Sequence, residues 1–199
     1  MKKLLALAIV ALMAGGAAAQ EPLPNLNSMG VFFSDSVFDA TTNTITTGFA
    51  PFNAYIVLIA SEFSTIGGYE CGLAFSDAAV FALSASGLNG WTNFGSGPLD
   101  HLCGYANPLP VGGNDAVVLS TISLLYTGSA QVSLTMGPAS IPSYPGVPVI
   151  ADGADPDVLR ACNLVCGLPS PAIVAYLNGP EGVTPVENHS WSQVKNLFD

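Results

Sequence analysis

Apolar and polar positions alternate with a period near two along most of this chain, and the apolar runs are short. Tyr69, Cys71, Leu73 and Phe75 fall on one side of such an alternation, with Glu70, Gly72 and Ala74 on the other. That pattern predicts a half-buried strand, because successive side chains of a strand point to opposite faces. Residues 52–60 are apolar on both alternating faces and predict a central strand. Further strands are predicted over 29–33, 45–49, 80–83, 116–126, 131–136, 158–165 and 173–177, with 149–150 leading into an acidic turn. The segments 116–126 and 131–136, joined by Thr127-Gly-Ser-Ala130, predict a hairpin. Residues 84–113 carry Gly, Asn and Pro throughout and read as a long loop. A Pro-rich segment follows from Pro138 to Pro148.

The two ends depart from this pattern. Lys2 and Lys3, the apolar run Leu4 to Met13 and the small residues up to Ala17-Ala-Ala19 have the layout of a secretory signal peptide, cleaved before Gln20. Residues 1–19 are therefore assigned to the signal, 20–28 to a lead-in and 29–199 to a single domain. No later run is long and uncharged enough to insert in a membrane after cleavage. At the other end, Trp191, Val194 and Leu197 or Phe198 recur at helical spacing. Ser190 and Gln193 are placed as a capping box, so 190–198 predicts a short C-terminal helix. The whole reads as an all-β protein, an antiparallel two-sheet sandwich with that helix appended.

Composition narrows the function. The chain has 4 Lys and Arg against 14 Asp and Glu. Removing the signal leaves two basic residues, Arg160 and Lys195, against the same 14 acids, a net charge near −12. Such a surface repels nucleic acid and leaves room for cations, neutral sugars or a basic partner. An exported chain resides in the periplasm or outside the cell, where its four cysteines, Cys71, Cys103, Cys162 and Cys166, have the opportunity to form two disulfides. Three pairings are possible. The favoured one joins Cys71 to Cys103 and Cys162 to Cys166, the second needing a tight turn or helical segment between its partners. A zinc site is disfavoured because the paired C-x2-C spacing is missing.

The stretch Phe52-Asn-Ala-Tyr-Ile-Val-Leu-Ile-Ala60, followed by Ile66-Gly-Gly-Tyr-Glu-Cys-Gly-Leu-Ala-Phe-Ser-Asp-Ala-Ala-Val80, resembles the opening strands of cohesin-type β-sandwiches. There an apolar strand leads through a Gly-containing turn to an aromatic-led alternating strand. An acidic residue then precedes an apolar position, as Asp77 precedes Val80 here. Ala78 stands where Pro is frequent in that family. The resemblance implies a cohesin-like, immunoglobulin-like or jelly-roll sandwich and a module that binds protein, with carbohydrate binding known among related sandwiches. It transfers no binding residue, since such surfaces vary within a fold.

Candidate chemistry is sparse. Asp152, Asp155 and Asp157 crowd one turn and are candidate calcium ligands, although the EF-hand spacing is absent. Trp91 and Tyr105 are candidate carbohydrate-stacking rings, with a plug at the end of the core as the competing role. His101 beside Asp100 is the imidazole a hydrolase would use, and Glu62, Glu70 and Asp77 are the carboxylates a glycosidase would need. Neither set has the spacing of a known catalytic motif, and no cofactor is implied. The sequence thus predicts a non-catalytic binding or structural module whose ligand is an extracellular protein or a carbohydrate. An extracellular hydrolase acting on polysaccharide or peptide is the alternative.

Overall fold

The structure, a computed structural model, describes residues 26–39, 41–112 and 116–179. The signal segment 1–19 and the C-terminal helix expected over 190–198 lie outside the described residues. Within them, the chain forms thirteen strands and no helix.

The strands divide between two sheets. The first has the order β12-β1-β3-β8-β5, formed by Asn163–Leu164, Ser28–Phe32, Phe52–Ile59, Ala116–Tyr126 and Val80–Ser86. The second is built on β4 (Thr65–Phe75), which pairs along residues 65–72 with β7 (Asp100–Pro110). On its other side β4 pairs first with β10 (Val149–Asp152) and then with β9 (Val132–Gly137). Outward from these run β11 (Leu159–Ala161) beside β10, and β13 (Ala172–Leu177) then β2 (Thr44–Ile45) beside β9. β6 (Trp91–Asn93) lies outside β7. Pairing is antiparallel except for β1 with β12 and β13 with β2, which are parallel. The two exceptions are two-residue ladders at sheet edges.

The core fills the space between the sheets. Met29, Val31, Ile56, Leu58, Leu119, Ile122 and Leu124 come from the first sheet and Ile66, Tyr69, Leu134, Met136 and Val174 from the second, all at 2% exposure or less. A bulge opposite Ile56 and Val57 shifts the β3–β8 register, so that the adjacent residues Leu119 and Ser120 are both buried.

Two expectations from sequence are corrected. β8 and β9 do not form a hairpin: β8 belongs to the first sheet and β9 to the second. The connection passes from sheet to sheet, pinned where the Thr127 amide donates to the Ala79 carbonyl at 3.2 Å. Alternation along each segment fixed which face is buried and said nothing of the pairing partner. Nor is 84–113 a loop: it holds β6 and the eleven-residue β7. β7 tolerates Pro108 and Pro110 because β6 covers its far side only at residues 103–105, leaving the rest an edge.

Candidate functional site

Two regions gather the residues that carry chemistry. One is buried between the sheets. In the β4–β7 ladder Tyr69 stands opposite Cys103 and Cys71 opposite His101, so all four side chains share the inward face. The Tyr69 hydroxyl crosses to the other sheet and donates to Ser120 Oγ at 2.6 Å. It also lies 3.0 Å from His101 Nδ1 and accepts from Trp91 Nε1 at 3.4 Å. Cys103 Sγ contacts Asn93 Oδ1 at 3.5 Å and His101 Nδ1 at 3.7 Å. Tyr105 donates to the Leu119 carbonyl at 2.7 Å.

Burial sets the protonation of this network. The His101 imidazole is fully buried, and loss of hydration lowers its pKa to about 4. The Pro98 carbonyl and the Asp100 carboxylate favour the charged ring but do not offset that cost. His101 is thus neutral at pH 7, and its Nε2 has no partner in hydrogen-bonding geometry. Burial raises the Cys71, Cys103, Cys162 and Tyr69 groups as well, Cys103 to about 12. None of these is a nucleophile at neutral pH, because the thiolate or phenolate is what reacts. Ser120, Tyr69 and His101 form a buried hydrogen-bonded row.

The disulfides expected from sequence are not formed. All four cysteines are buried free thiols. Cys71 and Cys103 occupy neighbouring strands but sit diagonally, each opposite another residue. Diagonal neighbours are separated by about 7–8 Å, beyond the usual Cα span of a disulfide. Cys162 precedes the two-residue strand β12, and Cys166 lies in the turn after it, which the Gly167 amide closes on the Leu164 carbonyl at 2.8 Å.

The other candidate residues are engaged elsewhere. Trp91 and Tyr105 face each other across β6 and β7 and send their polar atoms into the core, so they close the end of the sandwich and are not an exposed sugar platform. Asp152 Oδ1 accepts the Ala154 amide at 2.9 Å and Asp155 Oδ1 the Asp157 amide at 3.2 Å. The acidic turn is thereby folded on its own backbone and does not assemble as the expected calcium site. Among the described residues no group of three or more His, Cys, Asp or Glu is placed to hold a metal ion. Glu62 is ion-paired to Arg160. Glu62 and Asp77 sit beyond opposite ends of the eleven-residue β4, about 30 Å apart along the strand, far outside the separation a glycosidase needs.

Glu70 and Asp100 hold the Pro-rich segment. Glu70, 5% exposed, accepts the Ser143 amide at 2.7 Å and its hydroxyl at 2.5 Å. Asp100 accepts the Ser140 amide at 2.9 Å and hydroxyl at 2.6 Å, and both groups of Ser96 at 2.8 Å. Partial burial pushes the Asp100 carboxyl up. The hydrogen bonds from Ser140 and Ser96 outweigh it and hold the group well below the usual carboxylate range. Tyr144 completes the attachment by packing on Val149, Ala151 and Leu159.

The second region is a groove of about 710 Å3 at the edge of the sandwich. Val80, Phe81 and Ala82 of β5 form one wall, and Leu73 and Ala74 of β4 with Leu99 form the other. Pro138 and Pro171 also line it, and Asp100 lies in the rim. The groove exists because β7 leaves β4 after Gly72, with the Leu73 amide making a last bond to the Leu99 carbonyl at 2.8 Å. Phe81 in that wall is 50% exposed, and Leu83, two residues further along β5, is 52% exposed. The sequence assigned 80–83 to a strand but gave no sign that the strand ends a sheet, so this site was not foreseen. The available signal was a run without charge or Pro from Val80 to Ser86.

No model of a protein family matches the sequence, and no curated protein matches it. Among solved structures the chain is similar to the cohesin module from Clostridium perfringens ATCC13124 family 33 glycoside hydrolase. The identity is 11% and the TM-score 0.49, over 77% of this chain and 97% of that one.

Proposed function

We propose that this chain is an exported, non-catalytic binding module and that it engages a protein partner through the groove beside β5. The observation that carries the reading is that half-exposed Phe81 lines that groove, with exposed Leu83 two residues further along β5. Contiguous exposed apolar surface on a soluble domain marks an interaction site. The lining favours protein over carbohydrate. A sugar site needs free polar groups and ring faces, whereas Asp100, Ser96 and Ser140 are bonded to one another and the remaining walls are mainly aliphatic. The signal-like residues 1–19 support a periplasmic or extracellular location. The burial of His101 and the separation of Glu62 from Asp77 support a non-catalytic role.

A photo-crosslinking amino acid placed at Phe81 tests this in the producing cell. Val37, also exposed and on the loop after β1, is the control. The proposal predicts a protein adduct at position 81 and none at 37. It also predicts that the purified partner binds the native chain and loses affinity for Phe81→Ser. Adducts to polysaccharide alone, or equal adducts at both positions, would overturn it.

A further inference from the structure

We infer that the outer edge of β5 and the groove beneath it form an acceptor for one extended strand of the partner, apolar at alternate positions and flanked by Lys or Arg. The inference rests on the protein-binding reading above and specifies how the partner is held.

The sheet edges differ in length and protection. Among the described residues, β2, β6, β11 and β12 close the other edges with two or three residues each. β11 also carries Arg160, and the uncovered part of β7 carries Pro108 and Pro110. Short, charged or proline-bearing edges are how proteins keep strands from pairing with other chains. β5 is different: it has seven residues, Val-Phe-Ala-Leu-Ser-Ala-Ser, with no charge and no Pro. It pairs with β8 on one side, and no described strand pairs with the other. A bulge between Ala82 and Ser84 is its one irregularity.

A strand added to this edge would take its main-chain bonds from β5. Alternate side chains of an added strand point towards the sandwich interior. Here they enter the space between the β5 edge and Leu73, Ala74 and Leu99, an open and mainly apolar groove. Backbone ladder plus pockets for every second side chain is the general mode of strand addition.

Charge selects the occupant. Asp77 stands just before β5 and Asp100 in the groove rim. The one Lys or Arg among the described residues, Arg160, is already paired with Glu62. Cationic flanks on the incoming strand meet those carboxylates. A second copy of the exported chain would instead bring a net charge near −12 against an equal charge, and its β5 has no cation to offer.

A fluorescent synthetic peptide of alternating Val and Thr with two Lys at each end is the probe, titrated against the full chain. A matched peptide N-methylated at every second residue cannot donate the ladder bonds. The inference predicts saturable binding, weakened about tenfold or more by N-methylation. It also predicts weakening by Ala74→Phe, which fills the groove from an exposed position. Circular dichroism of that variant checks that the sandwich is intact. Equal affinity of the two peptides, no binding of either, or a concentration-dependent dimer that excludes the peptide would overturn it. If the peptide fails while the partner crosslinked at Phe81 still binds, the strand mode is wrong and the protein-binding reading stands. If both fail, both are wrong.

Discussion

Tyr69 of the second sheet donates its hydroxyl proton to Ser120 of the first at 2.6 Å, a polar tie across the core between side chains of the two sheets. His101 and Trp91 meet the same hydroxyl. Removing it with Tyr69→Phe takes a partner from two buried groups, Ser120 and His101, and from part-buried Trp91, while changing little volume. An unsatisfied buried group costs about 1–3 kcal/mol. We predict a loss of that order in urea unfolding, with the strand content unchanged in circular dichroism. An unchanged midpoint would show that the tie contributes nothing.

His101 predicts a pH dependence. Its pKa falls from 6.5 in the unfolded chain to about 4 in the folded one. Between those values the unfolded state binds more protons, so stability is fully present above pH 6.5 and falls as pH drops through that window. From pH 7 to pH 5 the loss is about 2 kcal/mol. Unfolding curves at the two values check it, and His101→Gln flattens the difference. Asp100 acts in a lower window. Its folded pKa is depressed, so its contribution is lost only as pH falls below the ordinary carboxylate value.

The four thiols predict a labelling pattern. They are buried and unbonded, and burial holds Cys71, Cys103 and Cys162 protonated. Iodoacetamide at neutral pH leaves the native protein unmodified, and after unfolding without reductant it adds to all four cysteines. Mass spectrometry reads both results. Two adducts or none after unfolding would mean that disulfides are present.

Glu70 predicts the anchoring of the Pro-rich strap. Glu70→Ala strands the Ser143 amide and hydroxyl, at a cost of about 1–3 kcal/mol. New proteolytic cleavage between Pro138 and Pro148 reports release. Equal resistance in the variant would show that the Asp100–Ser140 bonds and Tyr144 packing hold the strap without Glu70.

Much of this architecture is legible in the sequence, and the remainder has a physical reason for being hidden. The clean alternation at 69–75 and the two-faced apolar run at 52–60 mark real strands, because burial on one or both faces writes itself into the residue pattern. Pairing does not. The segments 116–126 and 131–136 alternate as a hairpin would, yet they join different sheets. β7 hides behind Asn107, Pro108 and Pro110, residues that an edge accepts and a central strand refuses. Cys71 reads correctly as inward-facing, but its diagonal offset from Cys103 depends on a ladder register that only the fold supplies. The groove depends on where β7 parts from β4, which no local pattern records.

The central claim is that β5 is the binding edge. Hydrogen exchange read by mass spectrometry, with and without the partner captured through position 81, tests it most directly. The account predicts new protection over Val80–Ser86, with smaller protection over the rim at 96–100, and none on the strap at 141–148. Protection on the strap or elsewhere, with β5 exchanging as in the free protein, would contradict it.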